Sequence, residues 1–247
     1  MSADWSAARA AYARDGFVRL PGALASADAV GAAFLAWVGA RPDTNAYGVL
    51  RNDVWRQVPA LRDAIPEAAR FALAILDVDA LVLFQDNVIY KPAGTRDRVE
   101  WHQDYAYWPL DRPAGVTLWI ALADADVDNG CVHFLPGSHH HGERRATDFV
   151  RGTGQPGVPD LPPLDAPADD LAAPLRLRAG EVGAHHPLAW HFSPGNLSER
   201  PRPAWSLTFV TPDVRWEPAH APHPHNWALG PAPGDPLDPA MFPRFVR

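Results

Sequence analysis

Residues 81–91 read LVLFQDNVIYK, and here the chain changes from a helical pattern to a pattern of period two. Successive side chains of a strand point to opposite faces, so Gln85 and Lys91 share one face while Asp86 and Tyr90 share the other. The pattern predicts a strand, and nearly all the signals that follow it are of the same kind.

Four further short strands are predicted downstream of this stretch. They are separated by Gly, Pro, Asn and Asp, which favour turns, and they read VTLWIALAD (116–124), CVHFLP (131–136), LRLRAGEVGAHH (175–186) and AWSLTFVTP (204–212). Strands and helices do not alternate along this part of the sequence, which argues against a parallel α/β sheet.

The first third of the chain is predicted to be helical around one short strand. Ser26 suits the N-cap of a helix through AAFLAWV (32–38), and residues 59–78 form a second helical stretch in which Pro66 begins a new segment. GFVRLPG (16–22) is a strand that ends in a turn. Helices followed by many short strands predict a mainly β protein with flanking α-helices, either a sandwich or a jelly-roll barrel.

Length and composition limit the classes of protein to which this chain can belong. It has 247 residues, a formal net charge of −7 and 47% hydrophobic residues. These values predict a single domain over 1–247 and argue against a nucleic-acid partner bound through bulk positive charge. The one cysteine, Cys131, excludes an internal disulfide and a multi-cysteine metal site. Because the sequence has no run of 18 apolar residues and no secretory leader, we expect no membrane partner and a cytoplasmic location.

Two stretches stand apart from the predicted core. Residues 142–174 are dense in Pro and Asp, which favours a lid or insertion loop. Residues 213–247 form a Pro-rich C-terminal tail that we expect to contribute no core. Its histidines, His220, His223 and His225, have no nearby carboxylate or cysteine at the spacing of a second metal site.

The stretch WHQDYAYWP (101–109) contains the first candidate metal ligands, His102 and Asp104. On a strand these two residues point to the same face, so an imidazole and a carboxylate can meet one ion. A second histidine from elsewhere in the fold would complete a facial triad of two His and one carboxylate. That arrangement leaves three coordination positions open and is typical of non-haem Fe(II) oxygenases.

A second polar block, HHPLAWHFSPGNLSERPRP (185–203), offers three histidines for this role: His185, His186 and His191. Residue parity does not separate His185 from His191. The block also contains Arg200 and Arg202, and a guanidinium can bind a carboxylate through two parallel hydrogen bonds. This block is therefore expected to supply both a ligand and a carboxylate clamp.

Three motifs in order, WHQDYAYW, NGCVHFLPGSH and HFSPGNLSERPR, resemble those of the phytanoyl-CoA dioxygenase family of Fe(II)/2-oxoglutarate-dependent oxygenases. The resemblance covers roughly residues 80–212. It implies a double-stranded β-helix, a jelly roll related to the cupins, with Fe(II) and 2-oxoglutarate as cofactors.

The resemblance also implies site residues. In the family an arginine eleven residues after the distal histidine binds the far carboxylate of 2-oxoglutarate, which selects His191 beside His102 and Asp104 as metal ligands and Arg202 as the clamp. Arg200 is the fallback clamp. The further cofactor-binding residues implied are Ser193, Lys91 and Gln85, and the implied substrate contacts are Trp108, Trp119 and Tyr105.

The expected function is hydroxylation of an unactivated C–H bond of a small molecule by dioxygen, with a bacterial natural-product intermediate or an amino-acid-like compound as substrate. A halogenase of the same family would replace the iron carboxylate, so Asp104 argues against it. A cupin-like oxygenase that uses no 2-oxoglutarate would not need Arg202. A non-catalytic binding protein on the same fold is the third alternative, and anaerobic titration with Fe(II) and 2-oxoglutarate separates it from an enzyme.

Overall fold

A computed structural model describes residues 4–40, 49–146, 159–221 and 231–247 of the chain. The α-helices are α1 (Trp5–Asp15), α2 (Ala27–Gly39), α3 (Pro59–Leu76) and the short α4 (Ala168–Leu171). In the described residues, no helix combines the length and the apolar character that crossing a bilayer requires.

The strands form two antiparallel sheets. They are β1 (Phe17–Ala23), β2 (Val49–Asn52), β3 (Ala80–Lys91), β4 (Val99–His102), β5 (Gly115–Ala121), β6 (His133–Phe134), β7 (Ala173–Pro174), β8 (Glu181–His185), β9 (His191–Ser193), β10 (Arg202–Val210) and β11 (Arg244–Val246). The larger sheet has the order β1-β8-β5-β10-β3-β11, with β2 also paired to β3. The smaller sheet has the order β4-β9-β6-β7.

The two faces of the larger sheet have different partners. Leu118 and Leu207 are register partners on β5 and β10, and both belong to the buried cluster that α1, α2 and α3 cover. The neighbouring positions Thr117 and Trp119 point to the other face, because side chains alternate along a strand. That inner face meets the smaller sheet, and the functional residues described below lie between the two sheets.

The predicted strands are present, although some are shorter than expected. β3 and β10 match the predicted stretches closely, whereas 175–186 contributes a strand only from Glu181 onward. The predicted break at Pro66 is wrong, because α3 runs through it as one helix. Pro66 lies on the exposed side of α3, where the carbonyl that loses its backbone donor can bond to water.

The second half of the predicted lid is packed structure. Leu161 and Leu164 pack against a cluster on the smaller sheet that contains Trp101 and Trp190. Asp169, on α4, accepts a hydrogen bond of 2.7 Å from the indole N–H of Trp101. The expectation that 142–174 builds no core is therefore wrong for 159–174, and residues 147–158 lie outside the described residues.

The C-terminal tail also contributes core, contrary to expectation. Trp216 and Phe242 are each 1% exposed and pack with Phe84 and Trp108 at one end of the larger sheet. The tail also forms β11, which pairs with β3. His223 and His225 lie outside the described residues.

Candidate metal centre and carboxylate pocket

His102 and His191 lie side by side on neighbouring strands of the smaller sheet. His102 ends β4, His191 begins β9, and the two are direct register partners with ring centroids 4.1 Å apart. Asp104 follows two residues after His102, at the start of a 3₁₀ turn. One ligand atom from each of these three residues lies within 4.8 Å of the others, so the structure brings the predicted triad together.

The backbone fixes which imidazole nitrogen points into the site. Nδ1 of His102 lies 2.7 Å from the carbonyl of Glu100, and Nδ1 of His191 lies 3.0 Å from the carbonyl of Ala189. A carbonyl can only accept, so each Nδ1 carries the proton and each Nε2 presents a lone pair. These Nε2 atoms lie 3.8 Å and 3.5 Å from Oδ1 of Asp104.

The protonation states also suit a metal centre. Burial lowers the pKa of His102 and lowers that of His191 well below the ordinary value. Burial alone would raise the pKa of Asp104, but His191 and a hydrogen bond from His185 outweigh it and hold that pKa below its usual range. The triad is thus two neutral imidazoles and one carboxylate.

This donor set fits a divalent iron ion. Two ligands that each lie about 2 Å from a common ion are separated by roughly 3–4 Å, and the distances from Oδ1 of Asp104 to the imidazoles are in that range. Two His and one carboxylate on one side of an ion are the set that non-haem Fe(II) oxygenases use.

Arg202 is a buried cation without a carboxylate partner among the described residues. Its side chain is 1% exposed, and Nε and Nη1 have no hydrogen-bond partner. Nη2 lies 3.5 Å from Oγ of Ser193, and the guanidinium lies over the ring of Trp119, 5.1 Å from its centroid. Burial lowers the pKa of Arg202 to about 10. A buried, unpaired guanidinium is unfavourable, so Arg202 is a candidate residue for binding an anionic ligand.

Arg200, the fallback clamp, lies elsewhere. Its side chain is 60% exposed and forms an ion pair of 3.4 Å with Asp128 at the surface. The structure therefore favours Arg202 over Arg200 as the carboxylate-binding residue.

Lys91 and Ser193 lie beside Arg202, but they bond to the protein. Lys91 is the register partner of Arg202, and its Nζ donates to Oγ of Ser193 at 2.8 Å and to the carbonyls of Ser193 and Pro194. Burial and the charge of Arg202 lower the pKa of Lys91 to about 6. Ser193 donates its own proton to the carbonyl of Gly130. These bonds fasten the turn between β9 and β10 around the guanidinium.

Gly130 permits this close packing. Its φ is +81°, and a Cβ placed there would lie 2.7 Å from the carbonyl oxygen of Pro194 and 3.1 Å from the Lys91 side chain. A larger residue would push apart the contacts that hold Lys91 against Ser193.

Gln85 and Trp119 both lie on the inner face of the larger sheet. Gln85 pairs with Thr208 in the register, six positions from Lys91, and its Oε1 accepts a hydrogen bond from Asn52. Thr208 also pairs with Thr117, which contacts Asp104, so Gln85 lies at the level of the triad and away from Arg202. Trp119, predicted as a substrate contact, lies against the guanidinium instead.

Tyr107, which the sequence did not single out, is an aromatic residue beside the triad. Its ring centroid lies 6.2 Å from that of His102. Tyr105 and Trp108, which were predicted as substrate contacts, pack together in the core, with exposures of 4% and 2%. The 3₁₀ turn after Asp104 places these two on one side and Tyr107 on the other.

The other histidines of the second block have different roles. His185 is buried, and its Nε2 lies 2.9 Å from Oδ2 of Asp104, the oxygen that faces away from the other two imidazoles. His186 lies outside the site, where its Nδ1 accepts from the backbone N–H of Leu188. Sequence spacing offered no signal for the contact between His185 and Asp104, because the two residues come from different sheets.

The middle residue of the HQD motif holds the start of the predicted lid. The amide nitrogen of Gln103 donates to the carbonyls of Gly142 and Leu188, and its Oε1 accepts from the backbone N–H of Arg144. His220 lies nearby and contacts Glu143 through Nε2 at 2.6 Å. Both contacts fix residues 142–144 next to the candidate metal ligands.

Comparison with known proteins identifies the family of this chain. Residues 12–204 match the family model described as phytanoyl-CoA dioxygenase (PhyH). The chain is 33% identical over 162 residues to phytanoyl-CoA dioxygenase domain-containing protein 1 of Mus musculus, a match that covers 64% of this chain and 53% of the mouse protein. The chain thus spans about half the length of that relative.

Two solved structures share the fold over nearly the whole chain. The non-heme alpha ketoglutarate dependent carbocyclase SnoK from nogalamycin biosynthesis is 22% identical, with a TM-score of 0.77 over 97% of this chain and 96% of that one. The epimerase SnoN, solved in complex with Fe3+, alpha ketoglutarate and nogalamycin RO, is 24% identical, with a TM-score of 0.76 over 97% and 98%. The predicted jelly roll is confirmed. The match to the family model covers more than half of the sequence, and the chain therefore belongs to the phytanoyl-CoA dioxygenase family.

Proposed function

We propose that this protein is an Fe(II)- and 2-oxoglutarate-dependent dioxygenase that oxidises an unactivated C–H bond of a small molecule. The observation that carries the proposal is a His–Asp–His triad, with both imidazoles buried, between the same two sheets as a buried guanidinium that has no carboxylate partner among the described residues. Family membership supports the enzyme class and both cofactors.

Each residue has a distinct role in this proposal. His102, Asp104 and His191 hold the iron through two Nε2 atoms and one carboxylate oxygen. Arg202 binds the far carboxylate of 2-oxoglutarate. Bound there, iron and 2-oxoglutarate supply the oxidising power, since 2-oxoglutarate is converted to succinate and carbon dioxide as dioxygen is reduced.

The protein itself contributes position and the exclusion of water. Trp119 covers one side of the guanidinium, which keeps the ion pair with 2-oxoglutarate in an environment of low dielectric. Lys91 and Ser193 hold the β9–β10 turn, so the guanidinium is in place before its ligand arrives. Such preorganisation lowers the entropy lost on binding.

The substrate side of the iron is expected to involve Tyr107 and Gln85. Tyr107 lies beside His102, and Gln85 lies on the inner face at the level of the triad. An aromatic ring and a carboxamide suit a small polar molecule with a ring or an amide, such as a natural-product intermediate or an amino-acid-like compound. The names of SnoK and SnoN, which place both in nogalamycin biosynthesis, are consistent with a natural product.

A metal-dependent oxygenase without 2-oxoglutarate is the second candidate. Such an enzyme would use the same triad, but it would have no carboxylate cosubstrate to pair with the buried guanidinium of Arg202. The unpartnered Nε and Nη1 of Arg202 therefore favour the dependence on 2-oxoglutarate.

The test is a screen of small-molecule pools for succinate release that depends on both Fe(II) and the added pool. We expect one or more pools to stimulate release by the wild type and not by Asp104→Ala. Oxygen consumption stimulated by a pool, with no succinate formed and no effect of Arg202→Ala, would favour the second candidate. If the protein binds neither Fe(II) nor 2-oxoglutarate, the third alternative, a non-catalytic binding protein, would be favoured.

A further inference from the structure

The two carboxylate oxygens of Asp104 have different surroundings. Oδ1 faces the Nε2 atoms of His102 and His191, at 3.8 Å and 3.5 Å. Oδ2 accepts a hydrogen bond of 2.9 Å from the hydroxyl of Thr117 and lies 2.9 Å from Nε2 of His185. One oxygen is thus directed at the candidate metal position, and the other is held by two protein donors.

The two residues that hold Oδ2 form a matched pair on the opposite sheet. Thr117 on β5 and His185 on β8 are direct register partners, and both point to the inner face of the larger sheet. They are 2% and 3% exposed. Asp104 follows β4 of the smaller sheet, so these bonds connect the metal motif to the centre of the facing sheet.

The direction of each hydrogen bond follows from the chemistry of the groups. A carboxylate oxygen only accepts, so Nε2 of His185 carries the proton that it shares with Asp104. The hydroxyl of Thr117 donates to Asp104, and Thr208, whose Oγ1 is 3.4 Å away, can then donate to Thr117. Two donors saturate the lone pairs of Oδ2 and leave Oδ1 available.

We infer that Thr117 and His185 are positioning residues that make Asp104 a ligand through one oxygen only. The inference rests on the proposed metal site. A carboxylate that bound through both oxygens would occupy one of the three positions that a facial triad leaves open. With Oδ2 tied to the larger sheet, those positions stay available to 2-oxoglutarate and dioxygen.

The first test compares variants of Thr117 by their affinity for Co(II) alone, measured by anaerobic titration. Thr117→Val keeps the shape and removes the donor, and it should weaken Co(II) binding by about 10–100-fold, as loss of hydrogen bonds to metal ligands typically does. Thr117→Ser keeps the hydroxyl and should restore most of the affinity. Ser206→Ala removes a buried hydroxyl on β10 that bonds to neither Asp104 nor Thr117, and we expect a change within about threefold.

The second test concerns His185 and the coordination of the bound metal. His185→Gln retains an N–H donor, whereas His185→Phe keeps a planar ring without one. The ligand-field absorption of bound Co(II) reports coordination number, so His185→Phe should change that spectrum and His185→Gln should change it less. A role in packing alone would move the unfolding temperature without this spectral difference.

The outcomes separate this inference from the proposed function. If the wild type binds Co(II), and Thr117→Val and His185→Phe bind it with the same affinity and spectrum, the positioning role is wrong while the metal site stands. Equal weakening by Thr117→Val and Ser206→Ala would also overturn it. If the wild type binds no metal, or if His102→Ala binds as tightly, the metal site itself is wrong.

Discussion

The guanidinium of Arg202 lies over the indole of Trp119, 5.1 Å from the ring centroid, in the interior between the two sheets. Trp119 and Thr117 are two residues apart on β5, and Thr117 bonds to Asp104. One strand therefore links the surroundings of Arg202 to the candidate metal centre.

The first prediction concerns cosubstrate affinity. Arg202→Ala should weaken 2-oxoglutarate binding at least tenfold, because removing a buried carboxylate partner costs roughly 2–5 kcal/mol. Arg200→Ala is the matched control and should change the affinity little, since Arg200 pairs with Asp128 at the surface. Calorimetric titration of the Fe(II)-loaded protein in the absence of oxygen measures both. A loss of 2-oxoglutarate affinity in Arg200→Ala alone would show that Arg200, and not Arg202, binds the carboxylate.

The second prediction separates the aromatic residues of the YAYW stretch. Trp108 is 2% exposed and packs against Phe84 and Tyr105, so Trp108→Ala should lower the free energy of unfolding by about 3–5 kcal/mol. Tyr107 is only half-buried, and Tyr107→Ala should lower it by less than half as much. Chemical denaturation measures both values. Equal losses would contradict the assignment of Trp108 to the core and Tyr107 to the site.

The third prediction concerns pH and a buried acid away from the metal. Asp86 accepts hydrogen bonds from the indole of Trp205 and the backbone of Trp55, yet burial raises its pKa to about 7. The unfolded chain releases this proton near pH 4, whereas the folded protein retains it to about pH 7. The free energy of unfolding should therefore fall as pH rises through this window, by about 1.4 kcal/mol per unit at most.

The control for this effect is Asp86→Asn, which does not titrate. The difference in stability between the variant and the wild type should grow in favour of the variant by on the order of 2 kcal/mol from pH 5 to pH 8. Denaturant titrations at several pH values measure it. A constant difference across this range would mean that Asp86 is ionised in the folded protein throughout.

Much of the site could be predicted from local patterns in the sequence. The spacing of His102 and Asp104 brings an imidazole and a carboxylate together at the end of β4, and the eleven residues from His191 to Arg202 connect β9 of the smaller sheet to β10 of the larger sheet. Both patterns depend on residues close together in the chain. The strand at 81–91 was equally clear, and β3 extends over Ala80–Lys91 with one shift of its register against β10, between Leu83 and Gln85.

The parts of the site and of the core that the sequence did not predict depend on contacts between distant segments of the chain. Thr117 and His185 reach Asp104 from the other sheet, and no local spacing encodes that approach. Tyr107 was missed because a 3₁₀ turn begins after Asp104 and ends the period of two. The Pro-rich tail supplies Trp216 to the core, which its composition alone did not indicate.

The most direct test of the central claim is an anaerobic titration with Fe(II) and 2-oxoglutarate that follows their charge-transfer absorption band. We predict that the band forms in the wild type and in His186→Ala, and that it is absent in His191→Ala, provided that all three proteins give the same far-ultraviolet circular dichroism. His186→Ala is the matched control because it makes the same change five residues away, outside the site. A band that persists in His191→Ala and disappears in His186→Ala would contradict the triad of His102, Asp104 and His191.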